Sequence, residues 1–415
     1  MKEQILNTFN AHRNDLERLI VDVTTRLVAC KTVNAGKDRL HEFDYLEVPG
    51  QERKAADVVA EYLDQFEIPY AIHEGAPLRA NIIANLFSGD PVLMVGCHLD
   101  TVPPGDESKW NTPPFEVVEE DGKLYGRGVL DNLGPMAASL AAARLLQLSG
   151  VTLNGTFQLA GLASEEFREP GEEDPGIEYL LNNKLIAPDM AIIPDIGEQM
   201  KFIDIAEKGR MVLKIVTTGK QAHGSTPDRG INAVNMMARI LTAVEALELP
   251  HEVHPVLGKP SKNLGILRGG EAANIVPASC TAELDVRIVP GQTPEAIRDL
   301  VLKTSLDVIR PDMIEEGIGV TIEINDATIP HAMPADHPLV KSIQESVSQA
   351  AGFTPEPFGI GGGTFAKAFN LGGIPAVGFG PGRDDQFHVV NEHIELSELV
   401  QFSLVCALIA SDLLG

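Results

Sequence analysis

The pattern of apolar and polar positions predicts alternating strands and helices in the first half of the chain. Apolar residues recur at helical spacing over 5–27, and a second helix fits 52–66. Beyond them, short apolar runs bounded by turn residues alternate with helical segments, a pattern typical of a doubly wound, mostly parallel sheet. The predicted strands are 81–87, 92–97, 155–162 and 190–194, and the predicted helices are 133–148 and 177–182.

The pattern changes after residue 208. The predicted elements there are strands 211–217, 282–288 and 319–324 and helices 231–247 and 293–304. Alternating strands with two helices indicate a small α+β sandwich. From residue 337 the chain returns to a helix, a Gly-rich loop, an apolar strand over 374–379 and a final helix. We therefore expect a catalytic α/β domain of residues 1–208 and 326–415, interrupted by a lid domain of residues 209–325.

Length and charge narrow the possible partners. The chain has 415 residues, more than the roughly 250–300 at which one hydrophobic core stops growing, so we expect two domains. It carries 33 basic and 59 acidic residues, a net charge of −26. The electrostatic field of so negative a chain repels nucleic acid and anionic membrane surfaces and attracts divalent cations. We expect neither nucleic acid nor a membrane as a partner.

The termini and cysteines indicate a cytoplasmic protein. The polar, amphipathic start lacks the apolar region of a signal peptide, and no uninterrupted apolar run has the length of a membrane span. The four cysteines lie far apart and form no CxxC pair. Neither a disulfide framework nor a thiolate zinc site is indicated.

Acidic and imidazole side chains follow several of the predicted strands. They are His98 and Asp100 after strand 92–97, Glu165 and Glu166 after strand 155–162, Asp195 after strand 190–194, and Asp131 just before helix 133–148. In open α/β sheets, ligands bind outside the carboxyl ends of the strands. One such ending could be an accident of the surface, but the repetition predicts a site.

The residue types of this set favour metal ions. Carboxylates crowded at one point repel each other and raise their own pKa values unless cations neutralise them. Mixed imidazole and carboxylate ligation suits Zn²⁺, with Mn²⁺ or Co²⁺ as alternatives. More carboxylates than one tetrahedral ion needs indicates two divalent ions with a bridging carboxylate. A second histidine is then required, and His388, after strand 374–379, is the best placed.

These motifs carry a family resemblance over nearly the whole chain. The ordered stretches are GCHLDTVP, GRGVLDNLG, ASEE, AHGSTPDRGINAV, GGEAANIVP with AELDVR, GIGGGTFAKAF, and FGPG with FHVVNE. In this order they resemble the co-catalytic zinc peptidases and deacylases. That family includes aminoacylase, acetylornithine deacetylase, succinyl-diaminopimelate desuccinylase, glutamate carboxypeptidase and the cytosolic dipeptidases. One motif alone would be a weak signal, whereas the ordered set is specific.

The resemblance implies a role for each matching residue. His98 and Asp195 match ligands of a first zinc ion, Asp131 the bridging carboxylate, and Glu166 and His388 ligands of the second ion. Glu165 matches the general base, Asp100 the aspartate that orients the metal-binding histidine, and His223 a lid-domain histidine that polarises the scissile carbonyl. Asn274, Arg287 and the loop of Gly361, Gly362, Gly363 and Thr364 match groups that bind the substrate carboxylate. Arg287 could instead be an ion-pair residue of its strand.

The resemblance also implies a cis peptide bond between Asp131 and Asn132. The lid domain of 209–325 has room for one small sandwich, whose exposed outer strand invites pairing, so we expect a homodimer formed through the lid domains. The resemblance adds that His223 would complete the active site of the neighbouring subunit.

Departures from the family pattern bear on the substrate. Deacetylases and desuccinylases usually carry glutamate where this chain has Asp195, and Gly363-Thr364-Phe365 also looks dipeptidase-like. The segment after Asp131 lacks the lysine of the common Asp-Asp-Lys-Gly. We expect a hydrolase of an amide bond in a small peptide or N-acyl amino acid, with a dipeptidase-like peptidase first and an N-acyl-amino-acid deacylase second. A binding protein without turnover is a remote alternative, since every predicted ligand and the base are present.

Overall fold

The computed structural model describes residues 1–169, 171–309 and 317–415. The described residues form two compact units. The first unit comprises Met1–Ile205, Met333–Phe358 and Thr364–Gly415, and the second comprises Ala206–Ala332 and Gly359–Gly363.

The first unit is built on a sheet whose central strands are parallel. The strands of this sheet are β1 (Tyr70–Ala76), β2 (Arg79–Leu86), β3 (Val92–His98), β6 (Thr156–Leu162), β7 (Met190–Ile193), β8 (Phe202–Glu207), β15 (His331–Ala332), β16 (Glu356–Ile360) and β17 (Ala376–Gly378). β15 and the last residues of β8 and β16 fall within the residue bounds of the second unit. The order is β1-β2-β6-β3-β7-β17-β8-β15, with β16 paired to β8. Strands β6, β3, β7 and β17 are mutually parallel, so their carboxyl ends share one edge. β2 joins β6 antiparallel, and β8 joins β17 antiparallel.

Helices cover this sheet in two groups. The helices of the unit are α1 (Lys2–Ala29), α2 (Arg53–Gln65), α3 (Leu133–Ser149), α4 (Ile177–Asn182), α7 (Pro338–Ala351), α8 (Phe365–Leu371) and α9 (Leu396–Leu413). α1, α3 and α9 pack on one another, α7 packs on α9, and α3 also contacts β3 and β6. α4 and α8 pack around a cluster that includes Leu180, Ile193 and Phe369. A small antiparallel sheet of β4 (Val118–Glu120), β5 (Lys123–Tyr125) and β18 (His393–Glu395) completes the unit.

α9 is long and apolar enough, by length and composition alone, to cross a membrane. Its mean hydropathy is 1.5, although Glu398 and Gln401 interrupt its apolar sequence. In the protein 72% of the helix is buried, and it packs against α1, α3 and α7. α9 is therefore a core helix of the first unit.

The second unit is an antiparallel four-stranded sheet with two helices. Its elements are β9 (Gly209–Thr218), β10 (Ala222–His223), α5 (Ala233–Ala246), β11 (Ser261–Gly269), β12 (Ile275–Val276), β13 (Ser279–Ile288), α6 (Pro294–Val308) and β14 (Gly319–Thr328). The strand order is β11-β13-β9-β14, and β10 pairs with β12. Inward residues of β9 and β13, such as Leu213 and Val286, pack with Met237 of α5 and Val301 of α6. The alternating burial of β9 and β13 reflects one covered face.

Several strands carry no recognisable sequence signal. The missed elements are β1, β4, β5, β8, β10, β11, β12, β15, β16 and β18. β11 is exposed along almost its whole length, so its sequence shows no apolar alternation. The segment Gly359–Gly363 lies in the second unit rather than with the flanking sequence. There the carbonyl oxygen of Ile360 accepts the N–H of Lys208, and that of Gly361 accepts from Arg287.

Candidate metal centre

Three parallel strand ends, the turn before α3 and the segment after β17, which carries His388, supply the acidic and imidazole side chains of the site. β3 ends in His98, β6 is followed by Glu165 and Glu166, β7 is followed by Asp195, and the turn before α3 supplies Asp131. These strands are neighbours in the sheet, and their side chains meet at its carboxyl edge.

Asp131 lies between the two histidines. Its Oδ1 is 2.7 Å from His98 Nε2, and its Oδ2 is 3.1 Å from His388 Nε2. The peptide bond between Asp131 and Asn132 is cis, as the family resemblance implies. The two oxygens of this carboxylate therefore face two different imidazoles, the arrangement expected of a bridging ligand.

Glu166 faces His388. Its Oε2 is 3.1 Å from His388 Nε2. His388 adopts a left-handed backbone conformation with φ +62°, which is uncommon for a residue with a side chain. Its imidazole is 53% exposed, whereas the carboxylate of Glu166 is 3% exposed. The site is therefore open to solvent on the side of His388.

Asp195 and Glu165 lie on the other side of His98. Asp195 Oδ1 is 3.5 Å from His98 Nε2 and accepts a 3.3 Å hydrogen bond from the Asn132 side-chain amide. Donor atoms of His98, Glu165 and Asp195 lie within 4.8 Å of one another, and so do those of His98, Asp131 and Glu166. The two groups share His98, whose one remaining nitrogen can serve a single ion.

Asp100 positions the glutamates as well as the histidine. His98 Nδ1 lies 2.8 Å from the Asp100 carbonyl oxygen, which can only accept, so Nδ1 carries a proton. The Asp100 carboxylate is farther from that nitrogen, at 3.5 Å. Its Oδ1 accepts the N–H of Glu165 and its Oδ2 that of Glu166, both at 3.1 Å, while Asn34 donates to Oδ2 at 2.7 Å. Asp100 thereby holds the loop after β6.

Burial and mutual repulsion dominate the electrostatics of the carboxylates. Burial, helped by Asp195, raises the pKa of Glu165 well above its usual range. Burial and Asp131 raise the pKa of Glu166 to about 7. Burial also raises the pKa of Asp195. Asp131 is the exception: burial opposes its ionisation, but His98 and His388 outweigh burial and lower its pKa.

The imidazoles respond in the opposite direction. Hydrogen bonds to Asp131 and Glu166 raise the pKa of His388 to about 10. Burial disfavours the charged form of His98, but Asp131 and Asp100 outweigh it and hold its pKa well above the ordinary value. The crowded acids thus favour the positively charged form of both rings, the response of a carboxylate cluster with too little positive charge around it.

The donor set fits divalent cations. Among the described residues, the buried Oε1 of Glu166 has no hydrogen-bond partner, and leaving such an oxygen unpaired is costly. The cluster combines four carboxylates with two imidazoles, which suits Zn²⁺, Mn²⁺ or Co²⁺. His98 Nδ1 is fixed by a carbonyl, which leaves the Nε2 lone pair for a metal ion.

Two of the predicted recognition residues meet on the β10–β12 pair of the second unit. The side chain of His223 is exposed, and its Nδ1 accepts the N–H of Ser225 at 3.1 Å. The proton of the neutral ring is therefore on Nε2, which can donate. The N–H of the adjacent Gly224 donates to the carbonyl oxygen of Asn274 at 2.7 Å, so His223 and Asn274 are neighbours.

Arg287 meets the Gly-rich loop in the same unit. Its Nε donates to Asp285 Oδ1 at 2.8 Å, and its Nη1 donates to the Gly361 carbonyl oxygen at 2.8 Å. Gly361, Gly362 and Gly363 belong to the second unit, whereas Thr364, the N-cap of α8, belongs to the first. The Thr364 hydroxyl accepts the N–H of Ala366 as the helix cap. Arg287 is thus both an ion-pair residue and a contact of the loop.

The sequence analysis missed an ion pair beside the site. Arg127 and Glu392 are 2% and 0% exposed, and Arg127 Nη1 donates to Glu392 Oε2 at 2.6 Å. Both residues stand within the quoted motifs, Arg127 in GRGVLDNLG and Glu392 in FHVVNE. In the sequence, Arg127 lies close to Asp131 and Glu392 lies close to His388. This proximity to predicted metal ligands is the signal that could have revealed the pair.

Comparison with known proteins identifies the family. The family model of "Peptidase family M20/M25/M40" matches residues 94–412. An acetylornithine deacetylase of Proteus mirabilis is 31% identical over 329 residues, covering 77% of this chain and 79% of the relative. A probable succinyl-diaminopimelate desuccinylase of Staphylococcus epidermidis is 29% identical over 375 residues, covering 83% and 88%.

Solved structures share the fold. The aminopeptidase PepT of Bacillus cereus superposes with a TM-score of 0.72 at 18% identity, covering 96% of this chain and 99% of that one. At this identity the similarity concerns the fold alone.

Proposed function

The chain belongs to peptidase family M20/M25/M40 and is a metallohydrolase of amide or peptide bonds; within this family we propose that it is a dipeptidase-like peptidase acting on small substrates that bear a carboxylate. The observation that carries the proposal is the cluster of His98, Asp131, Glu166, Asp195 and His388, with Glu165 beside it.

The cluster would hold two divalent cations, with Zn²⁺ as the first choice and Co²⁺ or Mn²⁺ as alternatives. His98 and Asp195 would bind the first cation, Glu166 and His388 the second, and Asp131 both. Bound cations supply Lewis acidity, which lowers the pKa of a water and polarises a carbonyl group. The chain's own contribution is to fix the ligands, and the short contacts of Asp131 to both histidines support that role.

Glu165 would act as the general base. It would take the proton of the attacking water and return it to the leaving amine. Its buried position beside Asp195 raises its pKa well above the ordinary value of a glutamate, the direction that favours holding a proton taken from water. Asp100 holds its backbone N–H, which limits the freedom of the side chain.

The second unit would supply the groups that recognise the substrate. The Nε2–H group of His223 can donate a hydrogen bond to the carbonyl oxygen of the substrate as negative charge develops there. Arg287 and Asn274, with Gly361, Gly362, Gly363 and Thr364, would bind the carboxylate of the substrate, for which a guanidinium is well shaped.

The choice between peptide and N-acyl substrates has support on both sides. Asp195 and the GGGTFAK sequence favour a dipeptidase-like peptidase by their resemblance to that branch. The similarity to a named deacetylase and a named desuccinylase favours an N-acyl-amino-acid deacylase as the second candidate.

One assay separates the two candidates. Release of free amine would be measured from matched pairs, a dipeptide and an N-acetyl or N-succinyl amino acid with the same leaving amino acid, with Zn²⁺, Co²⁺ and Mn²⁺ in turn. The proposal expects the dipeptides to have the higher kcat/KM. Higher values for the N-acyl substrates would establish the deacylase, and turnover of neither class would reject both.

We also propose a cytoplasmic homodimer formed through the second unit, with His223 serving the neighbouring subunit's site. Strand β11 lies at the edge of its sheet and exposes Leu264, Ile266 and Leu267. An exposed apolar edge strand invites pairing, and a twofold axis lets two copies satisfy each other.

A further inference from the structure

We propose that the buried Arg127–Glu392 ion pair positions two metal ligands together, Asp131 on one segment and His388 on another. Neither member belongs to the proposed ligand set. The inference rests on the proposed metal centre. It adds the ion pair that fixes the positions of Asp131 and His388, two of the ligands proposed for the second cation.

Glu392 holds the backbone of the turn that carries Asp131. Its Oε1 accepts three N–H groups, those of Gly128 at 3.0 Å, Leu130 at 2.9 Å and Asp131 at 3.2 Å. One carboxylate oxygen thus fixes the turn up to the ligand itself. Hydrogen bonds to a charged acceptor are stronger than neutral ones, so the turn has little freedom to shift.

Arg127 holds the segment that carries His388. Its Nη2 donates to the carbonyl oxygen of Val389, the residue after His388, at 3.2 Å. The Glu392 carbonyl oxygen accepts the N–H of Gly126 at 3.1 Å. The two segments are therefore tied in both directions, although Asp131 and Glu392 lie 261 positions apart in the sequence.

The surroundings keep the pair rigid. The guanidinium carbon of Arg127 lies 5.3 Å from the centroid of the Trp110 ring, a distance that allows a cation–π contact. The indole N–H of Trp110 donates to the Pro104 carbonyl oxygen at 2.9 Å. Removing only one member of this buried pair would be costly, because the remaining charge would be buried without its partner.

A positioning role predicts a specific pattern of defects. If the pair sets the distance between Asp131 and His388, its loss should weaken binding of the cation that both would contact. Turnover should then fall at limiting metal and recover at saturating metal, while KM stays unchanged, since neither residue is assigned to substrate contact. A pair that only stabilised the fold would lower the unfolding temperature and leave the metal affinity as it was.

The test uses the full-length protein, stripped of metal and titrated with Co²⁺ alone, with binding followed by visible absorption. In Glu392→Gln we expect the affinity for one of the two Co²⁺ ions to fall about 10–100-fold, the usual effect of removing a group that supports a metal ligand. Thermal unfolding is followed by the fluorescence of Trp110, the only tryptophan. The control is Leu16→Ala, which removes buried side chain from α1 and should lower stability without changing the Co²⁺ affinity.

Arg127→Lys tests the positioning role if Glu392→Gln does not fold. Lysine keeps the positive charge but cannot reach Glu392 and Val389 with two planar donors, so a smaller loss of affinity in the same Co²⁺ step is expected. Co²⁺ titrations that match those of the wild type in both variants would overturn the inference. A wild-type protein that binds no Co²⁺ would instead reject the metal centre itself.

Discussion

Apart from the half-exposed His388, the functional side chains of the first unit are more buried than those of the second. In the first unit, His98 and Asp131 are 2% and 6% exposed, and each contacts further members of the cluster. In the second unit, His223 is exposed and the Arg287 side chain is 32% exposed. Their side-chain contacts are to local groups, Ser225 for His223 and Asp285 and Gly361 for Arg287.

This difference agrees with the two tasks proposed for the units. Ligands of a charged centre must be fixed before the charge arrives, and a buried, hydrogen-bonded network does this. Groups that recognise a substrate must be accessible to it. Substitutions in the first unit should therefore affect metal content or the chemical step, and substitutions in the second should affect turnover or KM with metal content intact.

Asp131→Ala should have the largest effect. It removes the one carboxylate that faces both histidines, so both cations lose a ligand. We expect the metal content to fall and the loss in turnover to exceed the roughly 10²–10⁴-fold that removal of a general base costs. Elemental analysis and kcat on the same preparation check this. Glu119→Ala, on the exposed face of β4, is the control, and a fully metal-loaded Asp131→Ala would contradict the bridging role.

Glu165→Gln should come next. The amide keeps the size of the side chain but cannot accept the proton of the water and return it, so kcat should fall roughly 10²–10⁴-fold while metal content stays as in the wild type. Glu173→Gln, an exposed residue of the same acidic segment, should behave as wild type. Loss of metal in Glu165→Gln would make this residue a ligand, which its position near His98 and Asp195 would permit.

His223→Ala tests the second unit and the proposed dimer together. Loss of a donor to the developing oxyanion should lower kcat about 10²–10³-fold with unchanged metal content, and His251→Ala is the matched control. Mixing inactive His223→Ala and Glu165→Gln under conditions that exchange subunits should restore activity, because each mixed dimer contains one intact site. If exchange is demonstrated and activity does not return, each site is formed within a single chain.

Arg287→Lys should have the smallest effect. A charged hydrogen bond contributes about 1.5–3 kcal/mol, so loss of the planar donors should raise KM roughly 10–100-fold with a smaller change in kcat. Arg239→Lys, exposed on α5, controls for the substitution itself. An unchanged KM for carboxylate-bearing substrates would leave Arg287 as the ion-pair partner of Asp285 only.

The sequence predicts the buried parts of the fold best. The predicted strands 92–97 and 155–162 agree with β3 and β6 to within one residue at each end, because strands covered on both faces are continuous apolar runs. Helix α4 begins and ends where its apolar spacing predicts. β11 escaped prediction because it lies at an edge, where no covered face imposes a pattern.

The candidate site, like the fold, was predictable from the sequence only in part. The meeting of His98, Asp131 and Asp195 was predictable because parallel strands bring their carboxyl ends to one edge. The hydrogen bonds from backbone N–H groups to Asp100 and Glu392 were not. Such contacts join distant segments through backbone atoms common to nearly every residue type, so they leave no spacing to detect.

The short segment Gly359–Gly363 has a consequence for modular engineering. The chain passes between the units after residues 205, 332, 358 and 363, so the second unit is not a simple insert with two ends. A chimaera that exchanged only 206–332 with a relative would pair a foreign Arg287 equivalent with the native carbonyl of Gly361. A transplanted recognition unit must therefore bring this five-residue piece with it, and recombination at the two breakpoints that bound 206–332 cannot do so.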